Sequence, residues 1–246
     1  MSGAPPLLVL ALVLIAVHLG RYLLFAGGAW LAFWAWNNPF TARRRLQHVP
    51  FTRKDVTREV GFSVATAVLF GAFFALVFRG QGPVPLQHTG ALRVLEFLGW
   101  LAFLIAVHDT YFYWSHRLLH HPRVFPLVHA LHHQSKNPSP FAALAFHPLE
   151  ALAQVVWAVP LALWLPIPSA PWFAFAFAAM LVNVLGHCGV EPYPASWQRH
   201  PVMKWLNFAT FHNGHHLHVG GNYGLYFSVW DRWMGTLQAP HGEGKP

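Results

Sequence analysis

Apolar residues run almost without interruption from 7 to 36, broken only by His18 and Arg21. At about 1.5 Å per residue, a helix of that length exceeds the roughly 30 Å hydrocarbon core of a bilayer and predicts a tilted crossing. The residues before it carry no Lys or Arg and the run is long, so it reads as a retained span rather than a cleaved signal. A second run, 60–78, holds no charge, and a third, from about 94 to 113, carries Glu96 near its start and His108 and Asp109 near its end. Two further stretches, 151–165 and 172–186, are separated by Pro166, Pro168 and Pro171. They predict a helical hairpin whose legs, about 22 Å each, either cross the bilayer or re-enter it. The expected fold is all-α: an integral membrane bundle of four to five spans, the last two short, with a helical cap at one end.

The loop between the first two runs, 37–59, carries Arg43, Arg44, Arg45, Arg53, Lys54 and Arg58, whereas 79–93 carries only Arg79 and Arg93. The positive-inside rule makes the first loop cytoplasmic, the N-terminus external, and residues 114–150 and the C-terminal 60 cytoplasmic. Neither an internal repeat nor a low-complexity linker divides the chain, so 1–246 reads as one domain, with the N-terminal spans in 1–93.

Composition strengthens this. Apolar residues make up 55% of the 246 and charged residues 10%, against about 25% charged in a soluble domain. A water-facing surface cannot be built from so little charge. The net charge of +8 does not indicate nucleic acid, because six of the sixteen cations sit in one loop between apolar runs. The single cysteine, Cys188, excludes an internal disulfide framework and a cysteine-based zinc site.

Histidines number 18, more than twice the eight acidic residues. The third apolar helix continues outward as HDTYFYWSHRLLHH, with His116 and His120 one turn apart on one face. His121 is five residues from His116, on another face, and precedes Pro122, so it reads as a bystander. VHALHH places His129, His132 and His133 at i, i+3 and i+4, and FHNGHH repeats that spacing with His212, His215 and His216. Each triple is expected to share one helical face. Neutral imidazole suits iron, zinc, copper or nickel, and the scarcity of thiol and carboxylate argues against calcium, magnesium and iron–sulfur centres. Eight or more imidazoles exceed one tetrahedral site and can bind two metals while leaving positions open, as dioxygen activation requires. The alternative is a histidine-rich membrane metal transporter or metal-binding protein, although transport sites usually lie at mid-membrane on broken helices. A bis-histidine haem protein would need facing pairs within the spans.

These motifs resemble the integral-membrane fatty acid hydroxylase and sterol desaturase superfamily, which carries a tripartite histidine signature. Tyr113, Trp114, His116, Arg117 and His120 match one family motif, His129, His132 and His133 the next, and Phe146 to Glu150 a third. The ending with Asn222, Tyr223, Gly224, Trp230, Asp231, Gly235 and Thr236 is also similar. The resemblance covers roughly 100–240 and makes 94–246 the catalytic region. It implies two non-haem iron ions, dioxygen, and a lipid substrate, sterol-like or fatty acyl, that is hydroxylated or desaturated. Reductant would come from a separate ferredoxin, cytochrome or reductase. It also implies a ligand at His187, with Asn183 one turn before it, and leaves His147 open between a tenth ligand and a hydrogen-bonding role. Asp109, two turns before His116 and costly at the membrane boundary unless paired, is expected to accept a proton from a ligating imidazole. Asp231 and Glu150 could do the same, cap a helix, or pair with Arg117, Arg199 or Arg232. His18, His48, His88, His200 and His241 read as solvated or locally bonded.

Overall fold

The computed structural model describes residues 5–36, 39–47, 49, 51–79 and 81–238; His48 and His241 lie outside them. Helix α1, Leu7–Trp30, runs into a π-helical turn, Leu31–Ala35, and a short α2, Pro39–Ala42, follows. Helix α3, Arg53–Val77, begins earlier than the apolar run because Thr52 and Asp55 form a reciprocal capping box that starts the helix inside the basic loop. Helix α4, Gly90–Leu119, is long enough to cross the membrane and carry the first histidines beyond it. Four helices, the fourth being α8 at Ser169–His187, are long and apolar enough to span a bilayer. Among the described residues there are no strands, only isolated bridges. The protein is an all-helical membrane bundle.

Helices α1 and α3 touch backbone to backbone. A β-carbon at Gly71 would stand 2.5 Å from Ile15 Cα, so only glycine allows this approach. His18 and Arg21 face inward here. His18 is buried against Phe70 and Phe74, its Nδ1 bonded to the Leu14 carbonyl, so it is locally bonded and not solvated. The Arg21 guanidinium donates to the Ala176 carbonyl.

The proline-separated hairpin is asymmetric. Its first leg is broken into α6, Pro148–Val155, and α7, Ala158–Trp164, whereas the second is the continuous α8. Pro171 does not delay α8, because proline is tolerated in a helix's first turn, where the N–H has no partner. Ser169 and Val84 exchange hydrogen bonds, so the tip reaches the loop between α3 and α4 at the end opposite the histidines. With Ser169 there and His187 among the boxes, α8 runs the depth of the bundle; the hairpin does not turn back midway.

The box-bearing end is stapled by backbone carbonyls. A 3-10 segment, Pro140–Leu144, is held by Tyr22 and Ser63, both donating to the Phe141 carbonyl, and by Asn183, donating to Ala143. Residues 44–47 pair with 188–191: Leu46 N–H donates to Gly189 and Glu191 N–H to Arg44. Trp34 Nε1 donates to the Cys188 carbonyl, fixing the π-turn against the end of α8.

Candidate metal centre

Nine buried or nearly buried histidines converge where α4 and α8 end and α9, Ala209–His218, packs across them. They form two clusters. His116, His120, His129, His133 and His215 make one; His132, His187, His212 and His216 make the other. Within each, one ring nitrogen per residue lies within 4.8 Å of all the others.

The clusters do not follow the boxes. The second and third triples were expected to present one face each, but each is divided. Successive helical residues differ by about 100° in direction, so His215 and His216 straddle α9: His215 enters the five-histidine cluster, while His212 and His216, one turn apart, enter the four-histidine cluster. The second triple is not a regular helix. The short α5, Phe125–Val128, ends with His129 as its cap, and a 3-10 turn, His132–Gln134, follows. His129 and His133 remain one turn apart, His133 N–H donating to the His129 carbonyl, whereas His132 turns to the other cluster.

Tautomers are fixed from outside. His116 Nδ1 donates to the Tyr223 carbonyl at 2.9 Å, His215 Nδ1 to Gly221 at 2.7 Å and His187 Nδ1 to Asn183 at 2.8 Å. His129 Nδ1 meets the buried Glu150 carboxylate at 2.7 Å. Each Nε2 is then a bare lone pair. Yet His116 Nε2 and His129 Nε2 stand 3.1 Å apart, and His187 Nε2 lies 3.2, 3.0 and 3.3 Å from those of His132, His212 and His216. The facing lone pairs of His116 and His129 repel unless a cation sits between them, and the short spacings in both clusters suit one, since imidazole nitrogens about 2.1 Å from one ion at right angles are about 3.0 Å apart. Both ring nitrogens of His133 are buried without a partner, which fits the same purpose. Burial holds His133 down to about 2 and His120, His129, His132, His212, His215 and His216 well below the ordinary 6.5; the neighbouring rings act in the same direction. These rings stay neutral, the form that binds metal.

The three acidic and amide residues singled out in the sequence lie one step further out than expected. Asp109 does not receive a proton from an imidazole; Oδ1 accepts the backbone N–H groups of Tyr226 and Phe227. Asp231 accepts those of Tyr223 and Gly224 and the Thr236 hydroxyl, and burial raises its pKa. Together they clamp the loop whose Tyr223 carbonyl holds His116. Asn183 holds the Ala143 carbonyl with its side chain and His187 with its backbone oxygen. Glu150 is the carboxylate that touches a clustered imidazole. His147 caps α6, its Nδ1 accepting Leu149 N–H, and stands outside both clusters. His121 is exposed and accepts Arg123 N–H. His200 caps locally and His88 pairs with Glu96.

What sequence reasoning missed are the carbonyls of Tyr223 and Gly221, whose roles leave no side-chain signature. One signal existed: the pair Gly220 and Gly221. A β-carbon at Gly221 would lie 2.3 Å from the Thr236 carbonyl oxygen, so this approach to the C-terminal segment requires glycine.

Known proteins share this arrangement of sequence. Human lathosterol oxidase is 29% identical over 95% of this chain and 77% of its own length. The mouse protein of the same name is also 29% identical, over the same shares. The Delta(7)-sterol 5(6)-desaturase of Leptosphaeria maculans is 30% identical over 90% of this chain and 59% of its own length. No solved structure matches. The fatty acid hydroxylase family model matches residues 101–236, more than half the chain and all nine clustered histidines, and the chain therefore belongs to the fatty acid hydroxylase family.

Proposed function

We propose that this protein is a lipid oxidase of the membrane that holds two iron ions, one in each histidine cluster, and uses dioxygen with electrons from a separate protein. The observation that carries the reading is the pair of interleaved clusters, with ring nitrogens converging in each and the Nδ1 groups of His116, His129, His187 and His215 already committed to carbonyls or Glu150. Imidazole-bound iron with open positions supplies the activation of dioxygen needed to oxidise an unactivated carbon.

The chain's own residues supply placement. The carbonyls of Tyr223, Gly221 and Asn183 fix which ring nitrogen faces inward. Burial pushes the Glu150 carboxyl well above its ordinary range, and its hydrogen bond to His129 Nδ1 orients that imidazole. The buried side chains around the clusters keep bulk water away from the reacting centre. The names of the curated relatives favour a sterol-like lipid, and either hydroxylation or desaturation fits the family. The basic residues of 37–59 support a cytoplasmic position for the clusters and an external N-terminus.

Lipid mass spectrometry of cells with and without the intact gene tests this. A lipid gaining one oxygen or losing two hydrogens, only in air and only with the gene, is the expected result. Product formation under strict anaerobiosis would overturn it, as would purified, iron-supplied protein that binds one metal or none. Reporter fusions placing Arg53 and Gly82 on the same side would overturn the topology.

A further inference from the structure

The two clusters differ in their aromatic surroundings. Tyr223 lies against three ligands of the five-histidine cluster, its ring centre 5.7 Å from His116, 5.2 Å from His120 and 5.7 Å from His215. Tyr113 is 6.1 Å from Tyr223, and Trp230 stacks on Tyr113 at 5.9 Å. Trp230 in turn meets Trp233 at 5.6 Å, while Trp114 meets both Trp230 at 5.7 Å and Tyr113 directly at 5.3 Å, so the two indole branches join at Tyr113. Trp233 is 65% and Trp114 46% exposed. The rings therefore run in contact from the surface to the cluster. The residues that hold them are polar and specific: Trp230 Nε1 donates to Thr110, Tyr113 bonds Thr236, and Arg117 donates to the Tyr113 hydroxyl.

Among the described residues, the unpaired exposed charge at this end of the bundle is positive. Glu59, Asp109, Glu150, Glu191 and Asp231 are all buried, and Asp55 is tied to Arg58 at 3.0 Å. The exposed charges there include Arg117, Arg123, Lys136 and Arg199. Arg117 lies over Trp114 and Arg232 over Trp205, so cations flank the exposed indoles. Such a surface attracts an acidic protein and orients it.

Resting on the function proposed above, we infer that Trp230, Tyr113 and Tyr223 form the electron path from the Trp114 and Trp233 surface to the five-histidine cluster, and that an acidic one-electron donor protein docks on that surface. Each passage oxidises the donor by one electron and reduces the bound metal by one. The aromatic rings serve as a conducting bridge in van der Waals contact, and no bond is made or broken along them. The ordinary role of such tryptophans is to anchor a helix at the membrane interface, and the experiment separates the two.

Metal-loaded full-length protein in detergent is mixed anaerobically with a reduced plant-type [2Fe–2S] ferredoxin or, separately, with dithionite, and metal reduction is followed by absorption and electron paramagnetic resonance. Tyr113→Leu, where the Trp114 and Trp230 branches join, should slow ferredoxin-driven reduction by an order of magnitude or more, and the milder Trp230→Leu several-fold. Arg117→Glu should weaken its dependence on ionic strength. Dithionite-driven reduction and metal content should match wild type in all three, and Trp164→Leu, exposed at the opposite end, should change neither rate. Wild-type ferredoxin rates in both Tyr113→Leu and Trp230→Leu would overturn the path and leave these residues as interface anchors. A wild-type centre reduced by dithionite but by neither the ferredoxin nor a b-type cytochrome would overturn it too. Failure of dithionite itself to reduce any bound metal would instead strike the proposed function, and the path with it.

Discussion

The five-histidine and four-histidine clusters sit side by side and share two of the three boxes, yet they are braced differently. In the first, His116, His129 and His215 each commit Nδ1 to an acceptor, and one acceptor is a carboxylate. In the second, His187 is held in this way, while the Nδ1 atoms of His132 and His216 are buried without a partner. A ring whose outer nitrogen is hydrogen-bonded to a carboxyl group is oriented by it. The second cluster instead centres on one residue, because His187 Nε2 is close to all three of its companions. One site is thus rigid through outer bonds and the other through a single hub.

The strongest way to break this comparison is to remove the hub. His187→Ala should abolish turnover and lower bound metal from two ions to one per chain, as counted by elemental analysis. His116→Ala and His120→Ala should also abolish turnover and lower bound metal, yet the four-histidine site should stay filled in both. Equal and complete metal loss in all three variants would show that the clusters act as one site.

Acid should expose what the clusters cost the metal-free protein. The seven histidines outside the spans that are held well below 6.5, His120, His129, His132, His133, His212, His215 and His216, stay neutral when folded and take protons near 6.5 when unfolded. Their contribution is therefore intact above about 6.5 and is lost as pH falls below it, down towards about 2 for His133. Thermal melts of the metal-free protein should fall steeply below pH 6.5 and change little from 7 to 8.

Glu150→Gln sharpens the comparison on the braced side. It keeps the shape but replaces the carboxyl acceptor behind His129 with an amide, and should reduce metal affinity or activity by about 10–100-fold. A chelator titration of the wild type should empty the four-histidine cluster first, and Glu150→Gln should narrow the gap between the two phases. The smallest effect belongs to His121→Ala, which should leave metal and product near wild type because His121 is exposed and joins neither cluster.

The spans and the nine inward histidines were legible because hydropathy and the spacing of like residues are local properties of sequence. Helical phase also separated His120 from His121 correctly in geometry. It failed where a local rule met tertiary context. His129 to His133 was read as one helical face, but the chain there leaves α-helix for a 3-10 turn, and two neighbouring sites divide what a single helix face would have kept together. Asp109 was assigned to an imidazole by its phase with His116, whereas its nearer partners are backbone N–H groups more than a hundred residues away in sequence. His18 is locally bonded, one of the two readings the sequence allows, but nothing local shows that α3 closes over it. Carbonyl acceptors are identical in every residue type and cannot be read from composition.

Interleaving also dictates the order of biogenesis. The five-histidine cluster draws on residues from 116 to 215 and the four-histidine cluster on residues from 132 to 216. Neither can close on a nascent chain until α9 has left the ribosome, long after α1, α3 and α4 are available for insertion. On the two-metal proposal, metal loading follows membrane integration, and a truncation before α9 would leave two incomplete chelates in place of one working half.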